Sequence, residues 1–357
     1  MDSMKAFVLV SLCMTNALYT VIRKESVKSE SIPTEEVVIV SELIKMLVCV
    51  WFIYTNVEKT ESGGRGMMKL LWLIQHSCKM LVVALCYLVM NVLSFLCFEY
   101  IGAGEFAVYS QLKILTTASF STLILGSVFS RTKWRALMLL VLGCILVASP
   151  AFNDCLSHGS SDSVDSQTPN QTEAPSDIYK KSIGYGMTVA SVILSGFVTI
   201  YFEKVVKSKT EVITIWERNF QLCFYSIVFC IVMHVYTSAT RVANSEQYTA
   251  MSNWSALTVV VAVLGAANGL IVAATLKYAD SILKVLAQAG AIIISTALGY
   301  MFQNEPLDIF VVVGCLVSIL SIMNYTFDDS VQPPQKKTLE REDADESSSL
   351  LNGGGKV

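Results

Sequence analysis

Apolar stretches of about 20 residues recur from one end of this 357-residue chain to the other, and that is the length an α-helix needs to cross the hydrocarbon core of a bilayer. They fall at about 5–22, 36–55, 77–98, 105–129, 134–151, 183–203, 213–236, 257–276, 281–302 and 307–326. With 53% hydrophobic and only 15% charged residues, the chain lies outside the balance of water-soluble domains. Inside lipid each backbone N–H and C=O must find its partner within the protein, and the strict alternation of a membrane β-barrel is absent, so the stretches read as helices. The expected fold class is an all-α integral membrane protein with ten transmembrane helices.

Several functions drop out on composition. The net charge is −3 and no segment gathers the basic residues into a stripe, which excludes a nucleic-acid binder. Nine of the ten cysteines lie in apolar runs, with only Cys155 in a polar segment, and His76, His158 and His234 are scattered. This pattern offers no zinc, redox or other cofactor site and marks the cysteines as small hydrophobes. The run from Phe7 to Ile22 lacks a small-residue cleavage site and ends in Arg23-Lys24, so it reads as the first span.

Orientation follows from the basic residues. An even number of spans puts both termini on one side, which collects Lys59, Arg65, Lys69, Arg131, Lys133, Arg135, Lys204, Lys207 and Lys209 in its loops, while the other side is poor in them. By the positive-inside rule both ends face the cytosol. The glycosylation triplets at Asn170 and Asn253 then both fall on the luminal side. A stretch rich in Ser, Asp, Asn, Gln and Pro divides the spans five and five. The expected organisation is a first five-helix repeat over 1–152, a luminal linker over 153–182, a second repeat over 183–327 and a disordered acidic tail over 328–357. In the tail, Glu346 to Leu351 is similar to an acidic dileucine sorting signal.

Five plus five spans force the two halves into opposite topology, the arrangement of carriers built around a central site. The fourth span carries Lys113 and the ninth carries Lys284, so the fourth helix of each half brings one lysine. Two inverted helices of this kind are placed to bracket one anion.

Ionisable side chains within a span cost roughly 2.5–3.5 kcal/mol each, so they face a cavity or a partner. Glu42 and Lys45, three apart on one helix, suit either an ion pair and gate or substrate contact. Arg218 has Glu217 beside it to pair with, and Lys284 is near enough to a helix end to snorkel. Lys113 has no acidic neighbour within a turn. Lysines so placed suit phosphate, because a compact ammonium supplies charge and three donors without dictating geometry. Tyr87, Asn91, Tyr109, Asn219 and Gln221 add stacking faces and amide edges for a base and a sugar.

The run Lys277-Tyr278-Ala279-Asp280-Ser281-Ile282-Leu283-Lys284 is similar to the KYADNILK signature of the UDP-galactose, UDP-N-acetylglucosamine and CMP-sialic acid transporters of the Golgi. Tyr201-Phe202-Glu203-Lys204, Trp216-Glu217-Arg218-Asn219-Phe220-Gln221, Glu42-Leu43-Ile44-Lys45 and Gln111-Leu112-Lys113 resemble further landmarks of that family. The resemblance implies a drug/metabolite-transporter fold and antiport of a cytosolic nucleotide sugar against a luminal nucleoside monophosphate. It implies phosphate contacts at Lys113 and Lys284, nucleotide contacts at Tyr87 and Asn91, and a cavity role for Asn219. It places the protein in the Golgi membrane, with the ER or endosomes as alternatives, and admits a homodimer. Where the family has a Gln-Asn-Asn run this chain has Met90-Asn91-Val92, which bears on sugar and base selection; Ala279 leans towards a UDP-sugar over CMP-sialic acid. The rivals are a drug or metabolite carrier of the same fold, a membrane glycosyltransferase, for which the luminal loops are short and lack paired carboxylates, and a transport-dead scaffold.

Overall fold

The computed structural model describes residues 2–29, 34–58, 65–97, 100–158, 175–208, 213–243, 254–303 and 309–328, and among them there is no strand. The helices are α1 Asp2–Ser29, α2 Thr34–Glu58, α3 Arg65–Gln75, α4 Cys78–Cys97, α5 Ala103–Ser110, α6 Lys113–Leu125, α7 Arg131–His158, α8 Pro175–Lys207, α9 Ile215–Ala243, α10 Ala256–Tyr278, α11 Ser281–Gln303 and α12 Ile309–Thr326. Seven of them are long and apolar enough to cross a membrane, or eight if the bent pair α3–α4 counts as one span. Local chemistry sets several ends. Ser255 caps α10 by accepting from the amides of Leu257 and Thr258 at 3.1 and 3.3 Å. Gly126 closes α6 at φ 67°, a left-handed conformation that suits glycine.

Two features depart from the expected spans. The fourth, expected as one helix over 105–129, is two helices, α5 and α6, joined through Gln111 and Leu112 by tight turns: Leu112 N–H donates to Tyr109 O and Ile114 N–H to Gln111 O, both at 3.1 Å. Residues 65–75, read as loop, form α3, which meets α4 at a bend of 67°. The bend's carbonyls are satisfied from α9. Gln221 Nε2 donates to Leu73 O at 2.8 Å, and Ser77 Oγ bonds both Ile74 O and the Tyr225 hydroxyl. Lys69 of α3 pairs with Glu217 of α9, and Arg218 donates to Gln221 Oε1 at 3.3 Å, so Glu217 ties α9 to α3.

The helices of residues 2–158 pack on those of residues 175–326: α1 on α10 and α11, α2 on α9 and α10, α4 on α8 and α9, α6 on α8, and α7 on α12. Apolar clusters fill these seams, one around Leu137, Leu140 and Ile282, another around Met80, Val198 and Leu276, and a third joining Leu73 of α3 to Ile53 and Phe220. Large apolar side chains also point outward along the helices, as Trp51, Leu123, Leu142 and Leu320 do, the arrangement expected where lipid replaces water as solvent.

Candidate functional site

The segment Lys277–Lys284 makes the joint between α10 and α11. Asp280 Oδ1 accepts the Leu283 amide at 2.8 Å, capping α11. Glu203, reaching over from α8, accepts the Ser281 amide at 2.9 Å and the Ser281 hydroxyl with the same oxygen. Its other oxygen takes Lys207 Nζ at 2.6 Å, and Lys207 also donates to Ala279 O at 2.6 Å. The first turn of α11, which carries Lys284, is therefore pinned to α8 by charge-assisted bonds. Nothing in the neighbouring residues marks this role for Glu203 or Lys207, because the partner lies 78 residues away from Glu203.

Lys284 is 8% exposed, and Lys113 occupies the first position of α6. Helix α6 packs on α11, and a single core cluster links Ile114 beside the one lysine to Ile282 and Val285 beside the other. Among the described residues no carboxylate forms an ion pair with either lysine. Lys284 is buried and Lys113 half-buried, and two lysines on packed helices without a carboxylate partner suit a multiply charged anion.

A second group lies on α2. Lys45 pairs with Glu42 at 2.7 Å and is buried over Gly269 of α10, where a Cβ would stand 3.1 Å from Nζ. Tyr87 of α4 packs against the cluster of Met80, Val198 and Leu276. One oxygen of Glu42, Oε2, is buried with no hydrogen-bond partner. Substituting Glu42 by alanine strands a buried ammonium and is expected to destabilise the protein by about 3 kcal/mol. Thermal melting of the purified protein checks this, and Lys45→Met added to Glu42→Ala recovers much of the loss.

The remaining candidates are dispersed. Asn91 lies one turn beyond Tyr87 and is exposed. Tyr109 on α5 stands against Tyr185 of α8, ring centroids 5.0 Å apart. Asn219 is buried and gives its amide to Ile215 O at 3.0 Å. No hydrogen bond or ion pair among the described residues joins these three to the lysines. Asn170 and Asn253 lie outside the described residues. Among the described residues no group of three His, Cys, Asp or Glu side chains converges as a metal site would need.

A bundle of apolar helices that holds ionisable and polar side chains on neighbouring helices has the make-up of a membrane carrier. The family model described as nucleotide-sugar transporter matches residues 1–326, and the chain belongs to that family. It is 30% identical over 335 residues, 91% of this chain and 94% of the relative, to the UDP-N-acetylglucosamine/UDP-N-acetylgalactosamine transporter nstp-4 of Caenorhabditis elegans. It is 28% identical to the UDP-N-acetylglucosamine transporter of Rattus norvegicus over 82% of this chain and 84% of that one. The UDP-galactose transporter of Schizosaccharomyces pombe is also 28% identical, over 85% of this chain and 81% of its own. A solved crystal structure superposes with a TM-score of 0.60 over 89% of this chain and 96% of its own at 12% identity, a shared fold. The protein is thus a multispan membrane transporter, and the glycosyltransferase reading falls away.

Proposed function

We propose that the chain exchanges a cytosolic UDP-sugar for luminal UMP across the Golgi membrane, by alternating access of two inverted five-helix repeats with both termini in the cytosol. The observation that carries this reading is the packing of α6 on α11, which brings together the fourth span of each half, with Lys113 at the head of one helix and Lys284 in the first turn of the other. Their charges suit the diphosphate of the sugar nucleotide on one stroke and the phosphate of UMP on the return. A phosphate monoester carries about 1.5 to 2 negative charges near neutral pH, so either anion relieves the lysines, whereas the empty carrier would reorient with them uncompensated.

The helix packing supports the repeat. Counting α3–α4 as the third span and α5–α6 as the fourth, spans one, two and five of the first half correspond to α8, α9 and α12 of the second. The pairs α1–α10 and α1–α11 then map onto α8–α4 and α8–α6, α2–α10 maps onto α9–α4, and α2–α9 and α7–α12 map onto themselves. Every one of these contacts has its counterpart, as a pseudo-twofold axis requires. Glu42, Lys45 and Tyr87 line the same seam between halves and supply contacts for the sugar or base, with Asn91, Tyr109 and Asn219 as further contacts along the path.

The relatives named above carry UDP-sugars, which puts UDP-N-acetylglucosamine first. Uptake of labelled UDP-N-acetylglucosamine, UDP-galactose, CMP-sialic acid and GDP-mannose into liposomes holding the purified protein tests the choice. Saturable uptake of a UDP-sugar, competed by UMP and not by GMP, is expected. Uptake of CMP-sialic acid alone would overturn the base assignment, and uptake of none would overturn the function.

A further inference from the structure

We propose that Glu203 is the site's own counter-anion, a carboxylate on α8 that positions Lys284 at the head of α11 and whose field an arriving phosphate must work against. This rests on the proposed reading of Lys284 as a phosphate contact. Capping alone does not explain the residue. A neutral acceptor caps a helix adequately, as Ser255 does for α10, and Asp280 already caps α11 from its own chain segment. A carboxylate brought from another helix and 3% exposed is instead a desolvated charge, which persists only where it meets positive partners.

Its partners are arranged asymmetrically. On one side is Lys207, whose side chain is 37% exposed while that of Glu203 is 4% exposed, so solvent screens the lysine more than the carboxylate. On the other side Glu203 accepts from Ser281, one turn before Lys284 on the same face of α11. Lys113, at the head of α6, brings a second positive charge on a helix packed against α11. Glu203 therefore lowers the positive potential of the empty site. It keeps the empty carrier able to reorient at a low rate and holds nucleotide affinity weak enough for release.

The sign of two substitutions separates this role from a structural one. Glu203→Gln keeps an oxygen to accept the Ser281 amide but removes the negative charge, and UMP is expected to bind more tightly, by roughly fivefold to tenfold for one charge at such range. Lys207→Met removes the cation that shields Glu203, and UMP is expected to bind more weakly. Both changes break the same Glu203–Lys207 bond, so a purely structural role moves both in the same direction.

The experiment is calorimetric titration of UMP, CMP and GMP into purified wild type and the two variants, with uptake into liposomes preloaded with nucleotide or empty. Opposite shifts in affinity, together with a higher ratio of exchange to uncoupled uptake in Glu203→Gln, support the proposal. Equal or parallel shifts in variants that melt as wild type does overturn it. Should Glu203→Gln not fold, stronger or unchanged UMP binding in Lys207→Met overturns it alone. Wild type that binds no monophosphate overturns the substrate reading itself, a different result from wild type that binds while the variants shift together.

Discussion

Replacing Lys113 by alanine is expected to abolish exchange and to weaken UMP binding by roughly 30- to 150-fold, the equivalent of about 2 to 3 kcal/mol for a charge-assisted contact with phosphate. The same substitution is expected to raise, not lower, the melting temperature of the nucleotide-free protein. Lys113 has no ion-pair partner among the described residues and heads a helix packed on the one that carries a second cation, Lys284. Removing a half-buried, unpaired cation of this kind relieves part of its hydration penalty and its repulsion of Lys284. Lys113→Arg keeps the charge but presents a planar fork where a compact ammonium stood, and intermediate affinity is expected. The paired readout is decisive, since a lysine that merely packs would lose stability and nucleotide affinity together. Titration calorimetry and thermal melting of the detergent-purified variants measure both.

The second large effect lies where α7 packs on α12. A Cβ at Gly314 would stand 2.8 Å from both Gly143 O and Val147 N, and one at Gly143 would stand 2.9 Å from Ser318 N. These are backbone atoms, which no rotamer change can move aside. Close approach through small residues replaces the hydrophobic drive that lipid withholds from helix association. The two helices are tied further by Ser321, whose hydroxyl donates to Ala136 O, and by Ser130, which bonds Asp328. Gly314→Leu is therefore expected to force α7 from α12 and leave little folded protein, a loss of at least about 3 kcal/mol by overpacking. Gly186→Ala, at a glycine with nothing within 4 Å of the added atom, is expected to be tolerated. Size-exclusion profiles and melting of the two variants check the contrast. A monodisperse, stable Gly314→Leu protein would show that this crossing does not hold the fold.

The long spans were legible because length and apolarity alone specify them. The stretches at 257–276 and 281–302 became Ala256–Tyr278 and Ser281–Gln303, nearly residue for residue. The break in the fourth span was hidden because Gln111 and Leu112 are ordinary helix formers, with neither proline nor glycine to mark it. Helix α3 was hidden for the opposite reason. Its apolar run from Met67 to Ile74 is too short for a span, and the stabilising contacts, Lys69 to Glu217 and Gln221 to Leu73, come from the far half of the sequence.

The site was legible in part. Lys113, Lys284 and the Glu42–Lys45 pair stand out because an ionisable group in an apolar run demands a partner, and i,i+3 spacing names one for Lys45. Glu203 sits in Tyr201-Phe202-Glu203-Lys204 at the end of a span, where a carboxylate reads as solvated. Only the fold brings α11 over it. Likewise Glu217, and Gln221, whose amide reads from the sequence as a contact for base or sugar, seat α3 and its bend.

Coupled exchange is read out by counterflow: the initial rate of UDP-N-acetylglucosamine uptake by liposomes preloaded with UMP against the same liposomes left empty. A rate at least about tenfold higher is expected with UMP inside, the ratio for a barrier difference near 1.4 kcal/mol between loaded and empty reorientation. Equal rates in the two preparations would contradict exchange and leave the pair Lys113–Lys284 without the role assigned to it.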